Sequence, residues 1–373
     1  MSEEAAVAQE PASEERRRSR HLLSDAGARL KKHALKLLGF LVFAFLILKL
    51  LPGLEQAWNA LKGVSVWWVV AAMAVETASE FGYVLSWRGI LDPEDLLSRE
   101  GRGELTGERV AWAQLGGGMI VPGGAIGSMG VGAWLLHRLG ISTDRVGERQ
   151  LTLMTLNTAV DALAIVVFGL GLASGLFVGK ENLTLTLLPA ALAALALLLA
   201  LVVARGEKGL ANRLEDKHPK IAKGVNTLAS AVENTGRMLR HRGSAKVVLG
   251  AVAYLVFDMA VLWGAFYAIG ADPVPGFAVV AMSYLVGGLA GSIPLPANLG
   301  AVTGIAGMLI AFGASHDEAI AALVLYEAVG FLVPLLGGTI AYLFLHRALG
   351  AKGDDEPDEG NAALGTEPTA AHT

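Results

Sequence analysis

The apolar residues of this chain fall into blocks of about 20, the length at which an α-helix crosses a hydrocarbon core about 30 Å thick. Of the 373 residues, 53% are hydrophobic and 17% are charged, whereas an ordinary soluble domain has about 25% charged residues. The pattern predicts an all-α polytopic membrane protein and argues against a soluble enzyme. Cysteine is absent from the sequence, which excludes disulfides, thiolate metal sites and cysteine nucleophiles.

Six blocks are predicted to be full transmembrane helices. They lie near 33–52, 65–91, 146–176, 183–205, 246–270 and 317–346. Together with two broken stretches, they make up a predicted transmembrane domain over residues 33–348. Its basic, amphipathic loop at 206–245 is expected to lie on anionic lipid, and its charge does not justify a nucleic-acid partner. The polar segments 1–32 and 349–373 cannot form a core, so they are predicted to be disordered tails, one basic and one acidic.

Two further apolar stretches, 110–140 and 275–313, are interrupted by glycine and proline. The interrupting residues are Pro122, Gly123, Gly124 and Gly127 in the first stretch, and Pro294, Pro296, Asn298 and Gly300 in the second. Proline and clustered glycine break helices, and non-helical backbone at membrane depth is tolerated only inside protein or beside water. We therefore predict two re-entrant hairpins. Their backbone N–H groups could bind an anionic headgroup, or their small residues could simply allow close helix packing.

The two broken stretches also resemble each other. Gly127 and Gly140 have the same spacing as Gly300 and Gly313, and in both stretches a serine follows two residues later. A glycine stop followed by a capping residue explains such a turn, although chance similarity between Gly-rich segments is the alternative. Because Lys and Arg mark the cytoplasmic side, the first hairpin should enter from the cytoplasm and the second from outside. This predicts an inverted-topology repeat in the inner (plasma) membrane, with both termini cytoplasmic.

Several of these segments resemble a known family. The residues are Val121-Pro122-Gly123-Gly124, Ile293-Pro294-Leu295-Pro296-Ala297-Asn298-Leu299-Gly300, Tyr326-Glu327 and Phe331-Leu332-Val333-Pro334. They are similar to the lysylphosphatidylglycerol synthase transmembrane region, or flippase-like, family over roughly residues 33–348. The resemblance implies a transporter that moves a phospholipid or polyprenyl-linked precursor between leaflets. The family's synthases carry an aminoacyl-transferase domain, whereas only a short acidic tail follows Gly350 here, so aminoacylation is not expected.

Three positions depart from the family's usual pattern. The family has Glu where Thr303 stands, Glu and Arg near Ser128 to Gly130, and Tyr-Arg in place of Tyr326-Glu327. If those charged positions contact lipid headgroups, this chain has a different substrate.

Acidic residues occur within several predicted membrane helices. Glu76 and Glu80 are four residues apart and therefore share one helix face. The others are Asp161, with Asn157 one turn before it, Asp258 and Glu327. A charge at the helix centre costs about 2.5–3.5 kcal/mol on insertion scales, so such groups face the protein interior, pair or stay protonated. They predict a proton-responsive path or a cationic-headgroup site; the alternative is that they are neutral groups that hydrogen-bond helices together.

Arg88, Arg138 and Arg149 lie beside the first hairpin, where a guanidinium can hold a phosphate, although simple membrane anchoring is the alternative. The spacing of histidines and acids predicts no metal site, and no cofactor motif is present. Competing functions are an intramembrane enzyme acting on a lipid phosphate and a non-transporting scaffold. The sequence disfavours the enzyme because it has no clear set of nucleophile, base and orienting group.

Cysteine scanning tests the predicted topology, because the sequence supplies no background thiols. A cysteine replacing His316 should react with an impermeant external reagent, since this turn is predicted to lie outside. Cysteines replacing Arg138 or Arg347 should stay unlabelled until the membrane is opened. External labelling at position 138 contradicts the predicted orientation of the first hairpin.

Overall fold

The computed structural model describes residues 63–95, 97, 105–121, 125–179, 182–205, 219–241, 243–292 and 299–353. Within these ranges the regular secondary structure is entirely helical, which confirms the predicted all-α class. The predicted helix 33–52, the tail 1–32 and most of the predicted tail 349–373 lie outside the described residues. So do six of the residues proposed from sequence to interrupt the broken stretches, namely Pro122, Gly123, Gly124, Pro294, Pro296 and Asn298.

The described part of the chain forms helices in the following order. They are α1 (Val66–Leu91), α2 (Thr106–Ile120), α3 (Ala125–Arg138), α4 (Thr143–Ala173), α5 (Leu183–Arg205), α6 (Pro219–Leu239), α7 (Ser244–Ala268), α8 (Phe277–Gly288), a 3-10 turn (Leu289–Ser292), α9 (Leu299–Ala311) and α10 (His316–Gly353). Four of these helices are long and apolar enough to cross a membrane, over Asp144–Ala173, Leu183–Val202, Ser244–Ala268 and His316–Leu345. Helix α1 has 26 residues, which is also long enough to span a bilayer, but it contains Glu76, Glu80 and Arg88.

Helix α5 exposes a row of leucine side chains on the outer surface of the fold. Its leucines are widely exposed, including Leu188 at 55%, Leu192 at 58% and Leu198 at 60%. A continuous face of exposed leucine is stable in hydrocarbon and unfavourable in water. This face therefore marks α5 as a lipid-facing helix. Helix α6 follows it and packs against α5 and α4.

Each predicted broken stretch forms a pair of short helices that pack against each other. In the first pair, a β-carbon on Gly117 of α2 would lie 2.6 Å from the Val131 side chain of α3. In the second pair, a β-carbon on Gly304 of α9 would lie 2.2 Å from the carbonyl oxygen of Gly287 in α8. Small residues allow this approach of two backbones. Both stretches are therefore antiparallel helical hairpins whose tips fall outside the described residues.

The turns that follow the two hairpins have the same geometry. Gly140 and Gly313 both have positive φ, 85° and 105°, which favours glycine. After α3, Ile141 N–H donates to Leu136 C=O at 3.0 Å; after α9, Ala314 N–H donates to Leu309 C=O at 3.0 Å. These are Schellman-type C-caps, as the glycine spacing predicts. The next helix begins differently in the two copies, because Ser315 accepts from the backbone N–H of Glu318, whereas Ser142 makes no such side-chain bond.

The closest long-helix crossing joins α1 to α7. A β-carbon on Gly250 would lie 2.7 Å from the Gly82 carbonyl oxygen, so the two backbones are in direct contact. On either side of this contact, Ser79 donates to the Tyr254 carbonyl at 2.7 Å and Ser86 donates to the Val247 carbonyl at 2.8 Å. Interhelical serine bonds and small residues are the usual means of holding helices together in lipid. This crossing fixes the helices that carry the candidate site.

Gly250→Ala should destabilise the protein by about 1–3 kcal/mol, because the added methyl group must push α1 away from α7. Gly264→Ala on the same helix is the matched control, since a β-carbon there meets nothing within 4 Å. Thermal unfolding in mild detergent measures both variants. Equal stability of the two variants contradicts the close crossing.

Candidate functional site

Two carboxyl groups on α1 are buried in the interior of the helical assembly. Glu76 is 4% exposed and Glu80 is 3% exposed. The four-residue spacing places them one helical turn apart on the same face, as the sequence predicts. A β-carbon on Gly330 of α10 would lie 3.7 Å from Glu76 Oε1, so this carboxyl group faces α10. The face of α1 that packs into the helical assembly therefore has two acidic side chains at positions where an ordinary membrane helix has apolar ones.

Asp258 on α7 is the carboxyl group with which the other acids of the site interact. It is 8% exposed, and the hydroxyl of Tyr284 on α8 donates a hydrogen bond to its Oδ2. The hydroxyl of Tyr326 on α10 also hydrogen-bonds this carboxyl group. The rings of Tyr284 and Tyr326 pack edge to face, with centroids 6.2 Å apart. The tyrosines of α8 and α10 thus connect both helices to the carboxyl group on α7.

The acids from four helices form one group, which we call the acidic cluster. Its members are Glu76 and Glu80 on α1, Asp161 on α4, Asp258 on α7 and Glu327 on α10. Each of the other four interacts electrostatically with Asp258. Asp161 and Glu327 are partly exposed rather than fully buried. Asn157, one turn before Asp161, is also partly buried.

No ion pair described in the structure involves the acidic cluster. Oε2 of Glu76 and Oε2 of Glu80 are buried and have no hydrogen-bond partner there. The ion pairs that the structure describes involve other residues, at the ends of α1, on α6 and at the start of α10. Burying an ionised carboxylate without a cation is costly, so such a group must take up a proton or a cationic ligand.

The described residues contain no group of three or more His, Asp or Glu side chains arranged to hold a metal ion. The acids of the cluster are therefore spread over the helix interfaces rather than gathered around one point. This spread suits proton binding, or contact with a single cationic group, better than coordination of a divalent ion.

A second buried polar network connects α1 to the first hairpin, and sequence reasoning missed it. Gln114 of α2 is at its centre and is 1% exposed. Its side-chain oxygen accepts from Trp87 Nε1 at 2.9 Å and from Gln150 Nε2 at 2.9 Å, and its amide donates to Tyr83 Oη at 3.0 Å. Tyr83 in turn interacts electrostatically with Glu80. A glutamine within an apolar helix was the available signal, because such a group needs partners in lipid.

The predicted arginines have different environments. Arg88 forms ion pairs with Asp95 and Glu108, and Arg149 donates to the Leu91 carbonyl at 2.7 Å. Both guanidinium groups are therefore held by the protein itself. Arg138 is exposed at the end of α3 and stacks over the ring of Trp134, 5.1 Å from its centroid. Of the three, Arg138 is the one whose charge is presented to the surroundings.

Two glycines that the sequence predicts as site residues, Gly127 and Gly300, belong to the described part of the chain. Each lies at the start of the second helix of its hairpin. Gly127 is buried in the first turn of α3. Gly300 is buried at the start of α9, where a β-carbon would lie 2.3 Å from the Ala290 carbonyl oxygen. Gly300 therefore requires a small residue for packing. Neither glycine lies in the acidic cluster by any contact that the structure describes.

Comparison with known proteins bears on this arrangement. The family described as the lysylphosphatidylglycerol synthase TM region matches residues 36–338, a range that includes both hairpins and all five acids. No curated protein matches the sequence significantly. The family indicates a membrane protein of lipid metabolism or transport, which agrees with the apolar helices and their lipid-facing surface. Since the match covers well over half of the chain and confirms the resemblance seen in the sequence, this protein belongs to the lysylphosphatidylglycerol synthase TM region family.

Proposed function

We propose that this protein is a flippase-like transporter that moves a polar lipid, or a precursor on a lipid carrier, between the leaflets of the membrane. The acidic cluster is the observation that carries the proposal. A lipid headgroup cannot cross hydrocarbon without polar contacts, and ionisable groups inside a helix bundle are typical of substrate and proton pathways. On this proposal the protein changes the location of its lipid and not its chemistry.

The two hairpins support transport rather than a static role. Each interrupts the helix bundle with a pair of short helices, and such discontinuous segments line the substrate sites of many transporters. The matching Schellman turns after α3 and α9 support descent of the two halves from one repeated unit. We propose that the halves have inverted topology, with the first hairpin open to the cytoplasm and the second to the outside. Both termini are then cytoplasmic in the inner membrane.

The headgroup is proposed to meet the protein at two places. Arg138 lies at the proposed cytoplasmic mouth, where its guanidinium can bind a lipid phosphate in the fork geometry typical of arginine. The acidic cluster lies deeper, and its carboxyl and tyrosine hydroxyl groups offer hydrogen bonds to a polar headgroup during the crossing. The basic residues of the loop 206–245 are proposed to hold anionic lipid near that mouth.

Asp258→Asn should slow lipid transfer about tenfold or more, because a hydrogen bond to a charged group contributes about 1.5–3 kcal/mol. The measurement is leaflet transfer of fluorescent phospholipids in vesicles that contain the purified full-length protein. Asparagine keeps the shape and removes the charge, and its one side-chain oxygen can still accept a hydrogen bond from Tyr284. Glu233→Gln is the matched control, since Glu233 lies on α6 with a side chain that is 49% exposed.

The same vesicles separate the proposal from its competitors. Transfer of unchanged lipid by the wild-type protein supports transport. A chemically altered lipid, identified by mass spectrometry, supports an intramembrane enzyme. Vesicles in which neither transfer nor chemical change occurs support a scaffold and overturn the proposed function.

Arg138→Gln should raise the lipid concentration at which transfer is half-maximal and leave the maximal rate unchanged. The expected shift is about fivefold at most, because an exposed ionic contact contributes up to about 1 kcal/mol. Arg145→Gln is the control, since Arg145 is a similarly exposed arginine after the following turn. A fall in maximal rate without a concentration shift contradicts the role of Arg138 at the mouth.

A further inference from the structure

The acidic cluster contains two carboxylate oxygens that nothing in the described structure satisfies. They are Oε2 of Glu76 and Oε2 of Glu80, in side chains that are only 4% and 3% exposed. A buried polar atom without a partner is rare in a stable protein, and each such atom calls for an explanation. Here the two atoms lie one helical turn apart, so one explanation should account for both.

The groups that face these two carboxyls are themselves acids or phenols. Glu76 and Glu80 interact electrostatically with Asp258. The remaining titratable groups of the site interact either with Glu80 or with Asp258, and they come from five helices. They are Tyr83 on α1, Asp161 on α4, Tyr254 on α7, Tyr284 on α8, and Tyr326 and Glu327 on α10.

The burial of the two glutamates and the lack of metal-binding geometry among the described residues favour a very small cation as the ligand of this site. The described residues contain no cluster with metal-binding geometry, which disfavours a divalent ion. The two glutamates are almost completely buried, so a bulky cation has little access to their oxygens. A proton needs no cavity and removes the charge of a carboxylate outright. Asp258 differs from the two glutamates, because the Tyr284 hydroxyl donates a hydrogen bond to its carboxyl group.

We propose that Glu76 and Glu80 form a proton-binding site that couples lipid transport to the transmembrane proton gradient. The proposal deepens the proposed function and rests on it. In one state each carboxyl group holds a proton; in the other the proton has passed to water on the opposite side of the membrane. No bond other than the O–H bond forms or breaks.

The surroundings of the two glutamates explain how a proton can change the conformation. Glu76 faces Gly330 of α10, and Glu80 lies between the Ser79 and Gly82 contacts that hold α1 against α7. When the glutamates are protonated, the helices can pack closely around neutral groups. When they are ionised, repulsion from Asp258 and the demand for water favour separation of α1 from α7 and α10.

The Gln114 network offers a route from this site to the first hairpin. Tyr83 interacts with Glu80 on one side and accepts a hydrogen bond from the Gln114 amide on the other. The Gln114 carbonyl accepts from Ser128 at 3.1 Å, and Ser128 belongs to α3 of the hairpin. A movement of α1 is therefore transmitted through hydrogen bonds to the hairpin that is proposed to open towards the cytoplasm.

Infrared difference spectroscopy tests the site directly, without any need for lipid transport. The purified full-length protein is stepped from about pH 6 to alkaline pH, a range in which exposed carboxyl groups stay ionised, and the C=O stretch of protonated carboxyl groups is followed. We expect a titrating band in the wild-type protein that decreases in Glu76→Gln and in Glu80→Gln and is unchanged in Glu233→Gln. A band of equal size in all four proteins overturns the proposal.

Vesicles with an imposed proton gradient test the coupling. Wild-type lipid transfer should be accelerated by the gradient, and internal pH should change only when transportable lipid is present. The Glu76→Gln/Glu80→Gln variant should lose this acceleration, while Glu233→Gln retains it. Identical wild-type transfer with and without the gradient overturns the coupling even if the double variant fails to fold.

The results distinguish failure of this proposal from failure of the proposed function. Lipid transfer that ignores the gradient leaves the transporter intact and removes proton coupling. Absence of lipid transfer under every gradient removes the transporter, and the coupling with it. The infrared titration then decides separately whether Glu76 and Glu80 bind protons.

Discussion

The burial of several carboxyl groups inside a bundle of apolar helices, without a cationic partner among the described residues, is the constraint on which the rest of this structure depends. Four acids on three helices interact with a fifth, Asp258, and two of the four have buried oxygens that nothing in the described residues satisfies. Hydrophobic association cannot hold helices together in lipid, so the acids must be accommodated by packing and hydrogen bonds. Such a site is retained at a cost in stability, which is why a function for it is the natural hypothesis.

The helix contacts around the acids explain how that cost is met. Direct backbone contact at Gly82 and Gly250 brings α1 and α7 together, and serine hydroxyls bond across the same interface. Tyr284 and Tyr326 supply O–H donors to Asp258 from two further helices. The close crossing of α1 and α7 thus lies next to the buried, unpaired carboxyl groups of Glu76 and Glu80. On our proposal, a change in the protonation of Glu76 or Glu80 acts on this crossing, whereas the exposed Glu233 on α6 lies away from it.

Two of the three arginines that the sequence suggests as phosphate ligands instead bind groups of the protein itself. Arg88 has the position expected of a phosphate ligand, but its guanidinium group is engaged by Asp95 and Glu108. Arg149 supports the end of α1 through the Leu91 carbonyl. Arg138 alone among the three presents its charge outwards, supported by the ring of Trp134. Our proposal for headgroup binding at the cytoplasmic mouth therefore rests on Arg138, and the other two arginines stabilise the helix ends around it.

The sequence by itself determined the all-α membrane class, the helices from α1 onward, the interruption of two apolar stretches and the glycine turns at Gly140 and Gly313. It could do so because hydropathy, proline and glycine act over short distances along the chain. It also identified Glu76 and Glu80 as neighbours, since their spacing equals one helical turn. The tertiary structure decided which acids meet, that Tyr284 and Tyr326 serve Asp258, and that Gln114 joins Tyr83, Trp87 and Gln150. Those contacts depend on how helices far apart in sequence rotate and cross. Helix rotation is set by the fit of glycines and side chains at each interface, and no single segment encodes it.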